Sequence, residues 1–232
     1  MALSYLKTQL EALELEINEA CKRASRNRDE ITLIGVTKTY EADVMNASIA
    51  YGITDIGENK VQEITRKYDQ VTKGVKWHLI GHLQTNKVKY IIDKVDLIHS
   101  VDSLKLAEEI SSRAQKIGKV QEVLIQVNVA DETQKFGVSP ENVIDLIKEI
   151  GNLKNIKVCG LMNIAPFVDD PETLRDDFKV MKGLFDRLDD IKIDNVAAKY
   201  LSMGMSGDFG VAIEEGANMI RVGTRIYGNR NY

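Results

Sequence analysis

The sequence is poor in the residues that interrupt or cross-link a chain, with only three prolines and two cysteines among 232 residues. Because no stretch rich in proline, glycine or serine marks a linker, we expect a single domain over residues 1–232. Two cysteines in a chain of this length exclude the disulfide framework of a small secreted protein. Cys21 lies in an amphipathic helical segment and Cys159 in an apolar strand, so both are predicted to be core residues, while a single disulfide between them stays open.

The sequence also lacks long apolar runs and clusters of basic residues. No stretch approaches the roughly 20 apolar residues that cross a bilayer, and the acidic residues spread through the N-terminal segment exclude a signal peptide. With a net charge of −4 and dispersed lysine and arginine residues, neither nucleic acid nor an anionic membrane is an expected partner. Hydrophobic residues make up 44% of the chain and charged residues 28%, so a globular, cytoplasmic protein is predicted.

What the sequence does contain is a regular alternation of apolar runs and amphipathic segments. A first helix is predicted over residues 1–26, where leucines recur at helical spacing. Between residues 31 and 228 each strand candidate is succeeded by a helix or a helical turn. Strands that alternate with helices predict a parallel sheet, and eight units predict one (β/α)8 TIM-type barrel with an extra N-terminal helix. Counts of seven or nine strands also fit the pattern. The eight candidates are ITLIGVT, ITDIG, WHLIG, VDLIHSVD, EVLIQVNV, IKVCGLMNI, KYLSMGM and NMIRVG.

Several helix boundaries are marked by single residues. Gly52 is expected to end the helix after the first strand. Ser139, which is followed by proline, predicts the start of the helix after the fifth strand. Helices are also predicted over TNKVKYIID, behind the third strand, and from about Pro171 to Leu188.

Lys38 lies at the carboxyl end of the first predicted strand, the end at which TIM-type barrels carry their active sites. Apolar walls there would strip the ammonium of its hydration and lower its pKa. A neutral amine is the form that attacks a carbonyl carbon to make a Schiff base. A solvated lysine in a loop is the competing interpretation, and the residues at the neighbouring strand ends decide between the two.

Two small, polar turns follow the seventh and eighth predicted strands. Ser206 stands in a glycine-containing turn before a short helix, and Gly223 and Thr224 follow the last strand. Backbone N–H groups and hydroxyls in such turns bind phosphate, and the loops after strands seven and eight are the usual phosphate site of this barrel. Although Ser206 alone could be a helix cap, the two turns together predict a phosphate-binding site.

Arg221 lies within the eighth strand candidate. Alternation along NMIRVG puts Ile220 and Val222 on one face and Met219 with Arg221 on the other, so the guanidinium is predicted to point into the barrel. A buried guanidinium needs an acid or another hydrogen-bond acceptor. A solvated arginine is the alternative, which the apolar surroundings disfavour.

The remaining titratable residues give weaker signals. His78 and His82 have the spacing of a helical zinc pair, but their segment has the pattern of a strand without further ligands nearby, and no metal site is expected. His82 follows the third strand and could line the pocket, whereas His99 is predicted to be a packing residue of the barrel. Solvated or helix-start positions, rather than a catalytic pair, are predicted for three acids: Asp55, Glu58 and Glu63.

Several motifs together resemble one protein family over roughly residues 30 to 230. In order along the chain they are VTKT, GENKVQE, WHLIGHLQTNK, QVNVADETQKFG, GLMNI and LSMGMSGDFGVAIEEGANMIRVGTRIYG. They resemble the pyridoxal phosphate homeostasis proteins, a family similar to the N-terminal barrel of alanine racemase in the fold type III group. The resemblance implies that pyridoxal 5′-phosphate (PLP) is the cofactor.

The resemblance also implies roles for individual residues. Lys38 would form an internal aldimine with PLP, and Arg221 would face the pyridine nitrogen. Asn59 matches a position near the ring and Met203 one that flanks the pocket, while Thr37 stands where many relatives carry serine. Because a guanidinium accepts no proton, it favours an unprotonated pyridine nitrogen, which is a weaker electron sink for carbanion chemistry. The implied phosphate residues are Ser206, Gly223 and Thr224.

Two classes of function fit a barrel with a lysine and a phosphate site. One is a non-enzymatic protein of PLP homeostasis that buffers PLP and exchanges it with PLP-dependent apo-enzymes or vitamin B6 enzymes. The other is an amino-acid racemase, but alanine racemases add a β-rich domain and a catalytic tyrosine from the partner subunit. This sequence shows no such domain after its eighth unit, and Tyr227 and Tyr232 are poor substitutes for that tyrosine. We therefore expect a carrier, with a class I aldolase for sugar phosphates as the least favoured alternative, and the resemblance implies that the protein is a monomer.

Overall fold

The structure, a computed structural model, describes residues 3–129 and 136–228. Residues 130–135 of the QVNVADETQKFG motif, and Tyr232, lie outside these ranges. The strands are β1 (Thr32–Val36), β2 (Asp55–Glu58), β3 (Lys76–Leu79), β4 (Leu97–Val101), β5 (Gln121–Val127), β6 (Ile156–Asn163), β7 (Val196–Ser202) and β8 (Met219–Val222). All eight are parallel and close into a barrel in chain order, where β1 pairs with β8. The predicted strand count and the (β/α)8 TIM-type fold are confirmed.

The helices of the described residues surround this barrel. They are α1 (Tyr5–Arg23), α2 (Ala42–Ala50), α3 (Val61–Lys67), α4 (Leu104–Lys116), α5 (Val143–Gly151), α6 (Arg175–Asp186), α7 (Phe209–Glu214) and α8 (Thr224–Tyr227). The predicted N-terminal helix is confirmed as α1, which contacts α7 and α8. Gly52, with a φ of 107°, follows the end of α2 as predicted. None of these helices combines the length and the apolarity that crossing a bilayer requires.

The helix predicted over TNKVKYIID is present as a 3-10 helix, which covers Thr85–Tyr90 and ends before the last three residues of that segment. The carbonyl oxygens of Ile92 and Val95 accept hydrogen bonds from Lys119 Nζ at 2.9 and 2.6 Å. Those carbonyls are therefore satisfied without the next turn of an α-helix. The side chain of Lys119, from the loop before β5, takes the place that further helical N–H groups would fill.

Two other predicted helices begin with a 3-10 turn. Ser139 precedes such a turn over Pro140–Asn142, and α5 starts only at Val143. Likewise, Pro171–Leu174 is a 3-10 turn before α6, which ends at Asp186, two residues before the predicted end at Leu188. Proline lacks an N–H group and is tolerated in such first turns, so both helical segments begin at the predicted proline, the first of them with Ser139 as its N-cap.

Strand alternation sorts the apolar side chains into two layers. The main hydrophobic cluster lies between strands and helices and includes Ile220 and Val222. Met219 belongs to a separate cluster in the barrel interior, as predicted. Cys21 and Cys159 are buried and free, so they are core residues and the disulfide left open by the sequence is not formed. The interior cluster consists of Ile34, Leu97, Leu124, Cys159, Met162 and Met219.

Candidate functional site

Lys38 lies in a tight turn directly after β1. The Tyr40 backbone N–H donates to the Thr37 carbonyl at 3.1 Å, so Lys38 and Thr39 occupy the middle positions of a β-turn. Thr39 has a φ of 75°, in the left-handed region that a β-branched residue rarely adopts, which marks local strain. Lys38 itself is partly buried. The turn therefore holds this lysine at the carboxyl end of β1.

A buried ion pair lies behind the Lys38 turn. Lys67 Nζ lies 2.9 Å from Glu58 Oε1, and both side chains are 0% exposed. The same ammonium donates to the Thr37 carbonyl at 3.3 Å, and Thr37 Oγ1 donates to Glu58 Oε1 at 2.7 Å. Burial raises the pKa of Glu58 above its ordinary value, although Lys67 and the Thr37 hydroxyl oppose the rise. Thr37, the residue before Lys38, is thus held by hydrogen bonds at both its carbonyl oxygen and its hydroxyl group.

The turns after β7 and β8 meet at Gly223. Its backbone N–H donates to Ser206 Oγ at 3.2 Å, which joins one turn to the other. A Cβ atom added at Gly223 would lie 3.4 Å from Val36, so this point also touches the end of β1, two residues before Lys38. Thr224 follows as the first residue of α8. The predicted phosphate residues therefore lie together, beside the strand that leads to Lys38.

Arg221 points into the barrel, as strand alternation predicted. Its Nη1 donates to Ser202 Oγ and its Nη2 to the Asn163 carbonyl, both at 2.6 Å. The residue is 4% exposed. Burial lowers the pKa of Arg221 to about 10, with Asp208 opposing the fall. The guanidinium therefore keeps its charge at neutral pH while it is held by the oxygens of two neutral groups.

A row of hydrogen-bonded side chains crosses the barrel from Arg221 to Asp55. Ser202 Oγ lies 3.2 Å from His99 Nδ1, and His99 Nε2 lies 3.0 Å from His78 Nδ1. His78 Nε2 in turn lies 2.9 Å from Asp55 Oδ1. Burial opposes ionisation of Asp55, but hydrogen bonds, chiefly the one from His78, outweigh it and lower the pKa of this carboxyl. We call this row of five side chains the interior chain; its members are Asp55, His78, His99, Ser202 and Arg221.

The prediction of solvated or helix-start positions is wrong for Asp55 and Glu58, which are 5% and 0% exposed. Each meets a basic side chain, because His78 reaches Asp55 from the next strand and Lys67 reaches Glu58 from α3. The sequence missed both pairs, since the partners belong to different elements and only the barrel brings them together. Glu63, in the first turn of α3, fits the prediction.

The structure assigns other predicted residues distinct surroundings. Asn59 follows β2. Its carbonyl oxygen lies close to Gly81, since a Cβ atom added at Gly81 would lie 2.3 Å from that oxygen. Met203 is fully buried in the main hydrophobic cluster. Asp208, rather than Ser206, is the residue that precedes α7, so the alternative of Ser206 as a helix cap is wrong.

Tyr227 lies on the helix-facing side of β1. Its hydroxyl donates to Ser48 Oγ at 3.1 Å, and a Cβ atom at Gly35 would lie 2.7 Å from that hydroxyl. The ring packs against Tyr40 with the two centroids 5.0 Å apart. Burial raises the pKa of Tyr227 above its ordinary value. This phenol is therefore a packing group of the helix layer.

The donor set at the carboxyl end of the barrel fits a phosphorylated aldehyde. The amine of Lys38 is the kind of group that condenses with an aldehyde. Backbone N–H and hydroxyl groups of the turns joined by Gly223 and Ser206 suit a phosphate, and the guanidinium of Arg221 can donate to a ring nitrogen. Within the described ranges, no group of three or more His, Cys, Asp or Glu side chains could hold a metal ion.

Comparisons with known proteins add independent evidence. The family model for the alanine racemase N-terminal domain matches residues 9–231. The pyridoxal phosphate homeostasis protein of Aquifex aeolicus is 47% identical over 217 residues, which cover 93% of this chain and 94% of that protein. PipY of Synechococcus elongatus, solved with PLP bound, is 30% identical with a TM-score of 0.84, covering 96% of this chain and 100% of PipY.

Alanine racemase itself is a more distant neighbour. The enzyme of Clostridium difficile is 20% identical with a TM-score of 0.72, and the match covers 96% of this chain and 58% of the racemase. At that identity the likeness shows a shared barrel fold and nothing about activity.

Proposed function

This chain belongs to the family of pyridoxal phosphate homeostasis proteins, and on that premise we propose that it binds PLP, buffers it and delivers it inside the cell. One observation carries the proposal: Gly223 lies between two other parts of the site. Its backbone N–H donates to Ser206, and it lies beside Val36, the last residue of the strand that leads to Lys38. A phosphate group and a carbonyl group of one small molecule could be bound at this junction together. PipY, which is similar to the chain over almost its whole length, holds PLP.

We propose that Lys38 holds the cofactor covalently. Its ε-amine and the aldehyde of PLP would form an internal aldimine with the loss of one water molecule. The turns after β7 and β8 would bind the phosphate, and the guanidinium would donate to the pyridine nitrogen. Six further residues complete the proposed site: Asn59, Met203, Ser206, Arg221, Gly223 and Thr224.

The chemistry of the site supports a carrier over an enzyme. Arg221 has donors only, so it would leave the pyridine nitrogen unprotonated and the ring a weak electron sink. The Tyr227 hydroxyl is engaged with Ser48 in the helix layer. The curated relatives are named homeostasis proteins. An amino-acid racemase is the second candidate, because the family model of the alanine racemase N-terminal domain matches residues 9–231.

We further propose that the partners are PLP-dependent apo-enzymes or the enzymes of vitamin B6 metabolism, and that the protein acts as a monomer in the cytoplasm. Two buried, free thiols suit a reducing compartment. Delivery would then be an exchange of PLP between the Lys38 amine and a lysine of the receiving enzyme.

The test of PLP binding is a visible spectrum of the purified protein with PLP, followed by borohydride reduction and peptide mass mapping. We expect an aldimine band and a pyridoxyl mass on the Lys38 peptide. Lys38→Ala should lose both signals, whereas Lys60→Ala, which changes an exposed lysine, should keep them. An adduct of equal yield at another lysine in the Lys38→Ala variant would overturn the assignment.

Two assays on the same sample separate the carrier from the racemase. The carrier predicts transfer of PLP to a PLP-dependent apo-enzyme without interconversion of L- and D-alanine. Repeated turnover of alanine by the wild type, lost in Lys38→Ala, would favour the racemase.

A further inference from the structure

The interior chain is a continuous set of polar contacts inside the barrel. Its members come from β2, β3, β4, β7 and β8, and every one of them is buried. A buried polar group costs free energy unless it is hydrogen-bonded, so five of them in one row need complete pairing. The interior cluster that surrounds them is made of aliphatic and sulfur-containing side chains.

The hydrogen bonds of the interior chain fit a single donor direction. An ionised Asp55 only accepts, so His78 Nε2 carries a proton, and in a neutral imidazole His78 Nδ1 then has a free lone pair. That lone pair accepts from His99 Nε2, which leaves His99 Nδ1 to accept from the Ser202 hydroxyl. Ser202 Oγ then accepts from Arg221 Nη1. With both imidazoles neutral, each contact has one donor and one acceptor.

We propose that the interior chain fixes the Arg221 guanidinium at the carboxyl end of the barrel, and that Ser202, His99 and His78 are its positioning residues. The part of this inference that concerns the cofactor rests on the proposed function, in which Arg221 donates to the pyridine nitrogen. Asn163 holds Nη2 from the other side through its carbonyl, so two of the five guanidinium N–H donors have fixed protein partners.

The charges of the interior chain agree with the donor direction given above, in which both imidazoles are neutral. A proton on His99 would add a second positive charge, separated from Arg221 by one hydroxyl group. Burial lowers the pKa of His99 well below its ordinary value, and the positive charge of Arg221 lowers it further. Asp55 at one end and Arg221 at the other then carry opposite charges, with neutral groups between them.

The first test needs no cofactor, because the sequence has only three histidines. Nitrogen–proton correlation spectra of the imidazoles should show His78 and His99 as Nε2–H tautomers at about pH 8, and His99 should stay uncharged down to about pH 5.5. His82, whose ring is exposed and stacked on Phe136, is the internal reference. Titration of His99 within this range, or an Nδ1–H tautomer at His78 or His99, would overturn the proposal.

The second test removes one contact at a time. Ser202→Ala deletes the acceptor of Arg221, His99→Phe deletes the acceptor of Ser202, and Cys159→Ala changes an interior side chain outside the interior chain. In the first two variants the Arg221 Nη protons should exchange with water up to about tenfold faster than in wild type, as the loss of one hydrogen bond predicts. Cys159→Ala should leave that exchange rate unchanged.

The visible spectrum of the protein with PLP bound gives a third test. A purely structural role of the interior chain would leave that spectrum unchanged. In His99→Phe the visible band of bound PLP should change position or become pH-dependent, because the guanidinium no longer has one fixed orientation toward the ring. Equal spectra and equal exchange rates in His99→Phe and Cys159→Ala would overturn the proposal. If the wild type binds no PLP, the proposed function fails, and the tautomers and exchange rates still decide whether the interior chain positions Arg221.

Discussion

Lys67 Nζ lies 3.3 Å from the carbonyl oxygen of Thr37, so a fully buried ammonium supports the residue that immediately precedes Lys38. The charge is balanced by Glu58, whose Oε1 also accepts from the Thr37 hydroxyl. A strained turn is retained only where its surroundings determine it strongly. We therefore interpret this ion pair as the support of the Lys38 turn, in which Thr39 has a positive φ.

Replacing Lys67 should destabilise the protein strongly. Lys67→Met would leave Glu58 buried without its counter-charge, a change that typically costs about 3–5 kcal/mol. The measurement is the free energy of unfolding in urea. Lys73→Met, at an exposed position, is the matched control and should stay within about 0.5 kcal/mol of wild type.

The double variant Lys67→Met with Glu58→Leu separates pairing from packing. Because it removes both charges, it should recover part of the stability lost in Lys67→Met. If the double variant were less stable than Lys67→Met, the uncompensated charge of Glu58 would not be the cause of the stability lost in Lys67→Met.

Ser206→Ala should weaken the retention of PLP without preventing its covalent attachment. The substitution removes the oxygen that accepts from the Gly223 N–H and a candidate phosphate donor. The loss of about 1 kcal/mol predicts a Kd about fivefold higher, measured by equilibrium dialysis against PLP. The borohydride adduct should still map to Lys38, and Ser112→Ala, on the exposed side of α4, should bind as wild type does.

Stability should fall as the pH is lowered through the ordinary histidine range. Folding lowers the pKa of His99, so near pH 6.5 the unfolded chain takes up a proton that the folded protein does not. Each pH unit below that value therefore costs at most about 1.4 kcal/mol from this residue. Asp55, whose pKa is also lowered, adds a loss only at more acidic pH.

The pH effect is measured as the free energy of unfolding in urea between about pH 5.5 and 7.5. His99→Gln should have a smaller slope against pH than wild type, whatever its absolute stability. Cys159→Ala changes an interior side chain that is not a histidine and should keep the wild-type slope. Identical slopes in His99→Gln and wild type would show that His99 is not the group responsible.

Much of the barrel could be predicted because its signals are periodic. Alternation of strands and helices predicted eight units, and the two-residue period of β8 predicted that Arg221 points inward. Small polar residues after β7 and β8 predicted the two turns that meet at Gly223. These features depend on neighbours a few positions apart, which a sequence displays directly.

The buried polar contacts could not be predicted, because each joins residues that only the closed barrel brings together. His99 and Ser202 are 103 positions apart in the chain. Asp55, preceded by a threonine and followed by Ile56, has the local pattern of a surface acid, and its burial depends on His78 from another strand. After the 3-10 helix that precedes β4, the Ile92 carbonyl likewise accepts from Lys119, 27 positions further along the chain.

Gly160 offers a test of the barrel wall itself. Its φ is 140°, and an added Cβ atom would lie 1.9 Å from the Tyr200 carbonyl oxygen, at the point where the pairing of β6 with β7 shifts register. Gly160→Ala would force these strands apart and should cost at least about 2 kcal/mol. Gly183→Ala, in α6 with nothing within 4 Å of the new Cβ, should instead stabilise the protein by about 0.5–1 kcal/mol. Urea unfolding of both variants measures these opposite signs, and a Gly160→Ala protein as stable as wild type would contradict this strand geometry.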